Sequence, residues 1–185
     1  LQQYQFLMES FWFMLSNDFS TSYGYSVMGV LNTWFNLEFN KNIIVLIGAL
    51  FFMVPFASVK IRNSMQGKLL VLASLLIWLV IFNHKAESPT FIIAMLGVGI
   101  WFVISPKNKI NTFLFVLAIL FTVLSPTDLF PREIREHFIQ AYAIKAVPCI
   151  LIWIKIQFDL FYPNKDLPDI LVLDKEKKLA IPAVK

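Results

Sequence analysis

Apolar runs alternate with short polar breaks along most of the chain. The first four runs contain no Asp, Glu, Lys or Arg, and they lack the regularly spaced polar positions that mark the helices of a soluble bundle. A helix satisfies its own backbone hydrogen bonds in hydrocarbon, so the pattern predicts an all-α, polytopic membrane protein with about five transmembrane helices. The runs lie at 43–59, 69–82, 90–104, 110–124 and 142–158.

The N-terminal stretch has a different pattern. Residues 1–15 place six of their large side chains on one helical stripe, which predicts an amphipathic helix lying in the membrane interface; these are Tyr4, Leu7, Met8, Phe11, Trp12 and Leu15. Residues 27–35 form a second helix-like run that is too short to span. The chain therefore divides into an outer-face interfacial segment (1–42), a transmembrane helical domain (43–158) and a cytoplasmic tail (159–185) that is interrupted by Pro residues.

Lys and Arg are unevenly distributed between the two predicted sides of the membrane. Ten of them lie in the breaks 60–68 and 105–109 and in the tail, which five spans place on one side. Because Lys and Arg accumulate in cytoplasmic loops, we expect this side to be cytoplasmic. The chain is thus predicted to lie in a membrane with its N-terminal segment outside. The opposite side has Lys41, Lys85, Arg132 and Arg135.

The composition agrees with a membrane protein and excludes several other classes. Hydrophobic residues make up 58% of the chain and charged residues 15%, where an ordinary soluble domain has roughly 25% charged residues. The runs have 14 to 17 residues, fewer than the roughly 20 that span a bilayer, but uncharged flanks lengthen some of them. With one cysteine, Cys149, and no metal-ligand spacing or phosphate-binding glycine loop, no disulfide, metal or cofactor is predicted.

Two predicted outer loops contain most of the groups that could bind an anion. In the loop 83–89, His84 and Lys85 are suited to a phosphate, although a solvated turn explains the same residues. In the loop 125–141, Arg132 and Arg135 could hold a phosphate or an anionic lipid, or form ion pairs with neighbouring side chains.

A third polar and aromatic stretch, 16–26, precedes the run 27–35. Its Tyr and Ser side chains could form a wall that faces a lipid or a sugar, because aromatic faces stack on carbohydrate and hydroxyls bond to it. A connection that follows the membrane surface, with aromatic rings at headgroup depth, is the simpler reading of this stretch by itself.

Three segments together resemble a known family. The sequence NHKAESPTFIIA at 83–94 resembles the late outer loop of the polyprenol-phosphate-sugar-dependent glycosyltransferases of family 87, which have the GT-C fold. The sequence SYGYSVMGVL at 22–31 resembles an outer-face segment of that family. LSPTDLFP at 124–131, followed by YAIKAVP at 142–148, resembles its final loop and span. The resemblance covers nearly the whole chain and implies that it is about the C-terminal half of such an enzyme, in a bacterial inner membrane.

The resemblance implies a hexosyltransferase, in many members a mannosyltransferase, that moves a sugar from a polyprenyl-phosphate donor to a lipid or glycan acceptor at the outer membrane face. The general base is expected in an outer loop upstream, so no catalytic residue is named here. Family members with Trp and paired His after the Ser-Pro pair differ from this chain, which has Thr90 and Phe91 there. The resemblance places the donor phosphate at His84, Lys85 and Ser88, and lines the substrate cleft with Tyr23, Tyr25 and Ser26.

Two other classes of protein stay open. A transporter or flippase would use the same apolar runs, but it would place ionisable residues in mid-membrane, whereas the polar groups here gather at one face. A non-catalytic structural membrane protein predicts that replacing His84 and Lys85 has no effect on any activity. No nucleic-acid partner is expected, because Lys and Arg are dispersed among the loops.

Overall fold

The computed structural model describes residues 2–16, 23–36, 40–57, 64–125, 127 and 130–161, and these residues form helices and connecting turns without any strand. The predicted all-α class is confirmed for this part of the chain. The predicted tail after residue 161 lies outside the described residues. The helices are α1 (Gln2–Ser16), α2 (Val27–Phe35), α3 (Lys41–Met53), α4 (Met65–Ile81), α5 (Phe91–Ile104), α6 (Lys109–Ala118), α7 (Arg132–Ile134) and α8 (Val147–Phe161).

Irregular turns extend several of these helices. A 3-10 turn, Val54–Ala57, follows α3, and another, Ser88–Thr90, leads into α5. Helix α6 continues as a π-helix over Ile119–Val123, and α7 continues as a π-helix over Arg135–Gln140. A further 3-10 turn, Ile144–Ala146, leads into α8.

Side-chain caps explain where four helices begin. A helix leaves its first N–H groups without partners, and Ser or Asn before the first turn accepts one of them. The side chains of Ser26, Asn40, Ser64 and Asn108 do so at the starts of α2, α3, α4 and α6. Helix α4 accordingly begins at the cap, four residues before the apolar run that predicted it.

The lengths of the helices bear on the predicted spans. Within the described residues no single helix is both long enough and apolar enough to cross a bilayer, whereas Arg132–Ile139 and Ile144–Phe161 meet that criterion together, with a bend of 79° between them. Helix α4 has 17 residues, which corresponds to roughly 25 Å. The structure therefore supports the helices but not the count of five spans.

The core forms where α4 packs along α5 and both contact α8. Gly97 of α5 permits this packing, because a Cβ there would lie 2.7 Å from the carbonyl oxygen of Ala73 in α4. Small residues let helix backbones approach closely, and this favours helix association in membranes. The fully buried core side chains include Ala73, Ile77, Ala94, Val98, Trp101, Ile152 and Ile156.

Some polar side chains lie inside this bundle, and many large apolar side chains lie on its surface. The buried Gln157 of α8 donates from Nε2 to the hydroxyl of the buried Ser74 of α4 at 2.7 Å. By contrast, Ile92 is 77% exposed and Val103 is 75% exposed on α5. Other exposed apolar side chains are Leu46, Ile47, Leu50, Leu79, Leu96, Phe113 and Phe158.

The bundle has two ends. At one, which we call the capped end, residues 64–66 lie beside residues 104–111, and Gln66 Nε2 donates to the carbonyl of Ile104 at 3.0 Å. At the other, which we call the cleft end because a cleft opens there, residues 23–26, 83–90 and 142–146 come together. Loops that alternate along the chain thus lie at opposite ends, as the sequence pattern predicts.

Candidate ligand-binding site

Two of the segments singled out from the sequence contact each other through their backbones at the cleft end. Gly24 has a φ of +53°, and a Cβ at this position would lie 2.7 Å from the carbonyl oxygen of His84. The N–H of Tyr25 donates to the carbonyl of Ala86 at 3.5 Å. Glycine is suited to this position because it adopts positive φ without strain and leaves room for the loop. The segment 23–26 is therefore held against the loop 83–88.

A buried lysine joins these two segments to the start of α8. Lys145 is only 3% exposed, and its Nζ donates to the hydroxyl oxygen of Ser88 at 2.8 Å. The carbonyl oxygen of Ser88 lies 3.5 Å from the same nitrogen. The ammonium also lies 5.9 Å from the ring centre of Tyr25 and 5.3 Å from that of Phe91. Aromatic faces attract a cation at such distances, so two rings and one hydroxyl stabilise the charge.

The backbone before α8 is bent so that Lys145 points back into the bundle. Ala143 has a φ of 50°, a left-handed conformation that costs a residue other than glycine about 1–2 kcal/mol. The hydroxyl of Thr122, in the π-helical part after α6, donates to the carbonyl of Lys145 at 2.9 Å. Trp34 of α2 donates from Nε1 to the carbonyl of Tyr142 at 2.8 Å. Strained backbone and π-helical turns are both enriched at functional sites, and here they meet at one lysine.

A cleft of about 430 Å³ opens beside Lys145. This volume lies within the usual range of small-molecule sites. Its wall has one ionisable group, Lys145, with the hydroxyls of Ser88 and Thr122, and is otherwise apolar. The lining residues are Ser88, Pro89, Phe91, Ile92, Met95, Thr122, Val123 and Lys145.

The structure gathers some of the predicted site residues at this cleft. Ser88 lines the cleft, and the ring of Tyr25 faces Lys145. Ser26 is fully buried instead, because its hydroxyl donates to the carbonyl of Tyr23 at 2.6 Å and accepts from the N–H of Gly29. Its role in the described geometry is that of a helix cap.

The other predicted residues lie around the cleft without lining it. His84 is half-buried and Lys85 is exposed in the same loop as Ser88. The ring of Tyr23 has the ammonium of Lys41 at 5.3 Å from its centre. Arg132 is exposed at the start of α7, and Arg135 is half-buried in the π-helix that follows.

The pKa of one phenol at this end departs from its ordinary value. Partial burial raises the pKa of Tyr25 above 10, since the negative phenolate loses solvation. Tyr25 is therefore neutral over the physiological pH range, and its uncharged ring can face the ammonium of Lys145.

Sequence reasoning left Lys145 and Thr122 out of the predicted site. A signal for Lys145 was present, because an ionisable residue inside an apolar run is costly to bury and marks a functional position by default. Thr122 gave no signal, since its contact with Lys145 depends on the π-helical turn.

Comparison with known proteins adds no assignment: no family model, curated protein or solved structure matches the chain. The resemblance to glycosyltransferases of family 87 therefore stays a prediction from the sequence. Among the residues described by the structure, no group of three or more His, Cys, Asp or Glu side chains could hold a metal ion.

Proposed function

We propose that the chain belongs to a membrane glycosyltransferase that moves a sugar, such as mannose, from a polyprenyl-phosphate donor to a lipid or glycan acceptor. One observation carries the proposal: parts of all three segments with the family resemblance lie together at the cleft end. The segment 22–31 contacts the segment 83–94 between Tyr25 and Ala86, and the segment 142–148 contacts 83–94 between Lys145 and Ser88. A chance resemblance would not require these segments to be neighbours.

The distribution of apolar side chains supports a membrane location. Helix α3 exposes Ile43, Leu46, Ile47, Leu50 and Phe51, and large exposed apolar surfaces are costly in water. In hydrocarbon the same surface costs little, and buried pairs such as Gln157 with Ser74 hold helices together. We propose that the cleft end faces outward, because Lys68, Lys107 and Lys109 lie at the capped end.

In the proposed reaction an acceptor hydroxyl displaces the donor phosphate from the anomeric carbon of the sugar. An oxygen of the acceptor hydroxyl attacks the anomeric carbon, the bond from that carbon to the donor phosphate oxygen breaks, and the phosphate keeps the electron pair. A carboxylate base accepts the hydroxyl proton, and the family resemblance expects it in an upstream loop. Cationic and hydroxyl groups stabilise the negative charge that develops on the phosphate, and the loop with His84, Lys85 and Ser88 supplies such groups.

The test is sugar transfer from a polyprenyl-phosphate sugar by the full-length protein in liposomes. Replacing His84 or Lys85 with Ala is expected to lower turnover by about 100-fold, the usual effect of losing a contact to a developing anion. Glu87→Gln in the same loop is the matched control and should have a much smaller effect. Wild-type rates for both variants would remove this loop from the active site, and absence of transfer from every polyprenyl-phosphate sugar would reject the proposal.

The orientation is tested separately by labelling introduced cysteines from the two sides of the membrane. With Cys149 replaced by Ser, cysteines at Asn108 and Glu87 should be reached from opposite sides, because these residues lie at the capped and cleft ends. Labelling of both from the same side would contradict the proposed topology.

A further inference from the structure

We infer that the cleft beside Lys145 binds the phosphate head of a polyprenyl-type lipid, with the lipid chain lying along Ile92, Met95 and Val123. This inference rests on the proposed function and deepens it, because it adds the buried Lys145 to the phosphate contacts proposed for the loop with His84 and Lys85. Ser88 is shared by both assignments.

The first argument is the charge balance around Lys145. Within the described residues no Asp or Glu pairs with its ammonium, and its polar contacts there are both with Ser88. An ammonium has three donors and seeks acceptors for them when it is buried. The two aromatic rings stabilise the charge but accept no conventional hydrogen bond. An anion in the cleft would supply both the missing negative charge and the missing acceptors.

The second argument is the position of the cleft relative to a helix start. Ser88 is the first residue of the continuous helical stretch Ser88–Ile104, so the positive end of the helix dipole lies beside the cleft. The dipole favours negative charge at this end of the helix, whereas Pro89 has no N–H and the N–H groups of Thr90 and Phe91 donate to the carbonyls of Glu87 and Ser88. The hydroxyl of Ser88 and the ammonium of Lys145 lie at the same place, 2.8 Å apart. A cation, a hydroxyl and the positive end of a helix dipole therefore lie together beside the cleft.

The third argument is the apolar remainder of the wall. Ile92 and Val123 both line the cleft and are exposed at 77% and 41%, so the cleft is continuous with the apolar outer surface of the bundle. Met95 is half-buried between them. A water-soluble phosphate has no apolar part that could contact these side chains. A phosphate attached to a hydrocarbon chain would contact them through that chain, and such a lipid could enter the cleft from the side of the bundle.

The experiment measures lipid retention by the detergent-purified full chain with native mass spectrometry. Undecaprenyl phosphate is expected to bind, whereas undecaprenol and inorganic phosphate, which each contain half of the ligand, should bind at least tenfold more weakly. Lys145→Gln should weaken binding of undecaprenyl phosphate at least tenfold. Lys155→Gln is the matched control, because Lys155 is in the same helical stretch, Ile144–Phe161, is ion-paired with Asp159 and lies outside the cleft.

A second variant keeps the test decisive if Lys145→Gln does not fold. Ile92→Trp changes a largely exposed side chain at the cleft wall, so the variant should fold. The larger ring should block the part of the cleft that binds the lipid chain and weaken the binding of undecaprenyl phosphate at least tenfold. Equal binding by Lys145→Gln and wild type would overturn the inference. So would inorganic phosphate binding as tightly as the lipid, or a long-chain fatty acid binding more tightly than the lipid phosphate.

The two proposals fail in different ways. Binding that depends on Lys145 without any sugar transfer would keep the lipid-phosphate site and reject the glycosyltransferase. Sugar transfer that is unchanged by Lys145→Gln would keep the enzyme and reject Lys145 as the phosphate contact.

Discussion

Both ends of the bundle contain polar side chains, but these side chains have different partners at the two ends. At the capped end, Gln66 and Asn111 donate their amides to the backbone carbonyls of Ile104 and Pro106, and Asn108 caps α6. At the cleft end, Lys145 contacts a side-chain hydroxyl 57 residues away in sequence, and a cleft remains beside it. Polar groups that close helix ends stabilise the fold, whereas a cation that faces an open volume is available to a ligand.

The largest expected difference in sugar transfer is between a variant of Lys145 at the cleft end and a variant of Gln66 at the capped end. Lys145→Met should lower sugar transfer by about 100-fold, because a charge-assisted contact to the departing phosphate is lost. Gln66→Leu removes a comparable polar contact at the capped end and should leave transfer essentially unchanged. Rates are compared in liposomes at matched protein content. Equal losses of transfer in the two variants would contradict a functional difference between the two ends.

The contact between the segment 23–26 and the loop 83–88 is tested with two separate glycine substitutions. Gly24→Ala forces a Cβ into positive φ and against the carbonyl of His84, so we expect a loss of about 1–2 kcal/mol in the free energy of unfolding. Gly99→Ala places a Cβ where no atom lies within 4 Å and should be neutral or stabilising by up to about 1 kcal/mol. Thermal unfolding in detergent measures both. Identical stability of the two variants would contradict the close contact at Gly24.

The capped end should respond in stability alone. Asn108→Ala removes the side chain that accepts from the N–H of Asn111, and loss of such a cap typically costs about 1 kcal/mol. Sugar transfer per folded molecule should be unchanged. A large fall in turnover at equal folded fraction would show that this end also takes part in the reaction.

The smallest expected effect is a difference in alkaline stability. Burial raises the pKa of Tyr25, so above pH 10 the folded protein retains a proton that the unfolded chain has lost, and the free energy of unfolding falls as pH rises. Tyr25→Phe removes this contribution and should show a shallower loss of thermal midpoint between about pH 9 and about pH 11. An equally steep loss in both proteins would mean that Tyr25 is not buried as described.

Much of the helical architecture follows from local sequence. The apolar runs predict the positions of α3, α4, α5, α6 and α8, because helix formation depends on neighbouring residues. The starts could have been placed more sharply from the Ser and Asn caps, since the capping bond joins residues only two or three apart. The break before α8 was not predicted, because Ala143 gives no sequence signal for a left-handed conformation.

The candidate site was only partly predictable, because contacts between segments that are distant in sequence leave no local sequence signal. The sequence alone determined that the segments 22–31 and 83–94 contain groups suited to a phosphate and a sugar, and that alternate loops fall at opposite ends. Only the tertiary structure decided that Ser88 meets Lys145, that Ser26 is buried as a cap, and that Ile92 and Val123 line the same cleft. Those contacts depend on how α5, the π-helical turn after α6 and the start of α8 pack together, and packing between distant segments is not encoded in any local pattern.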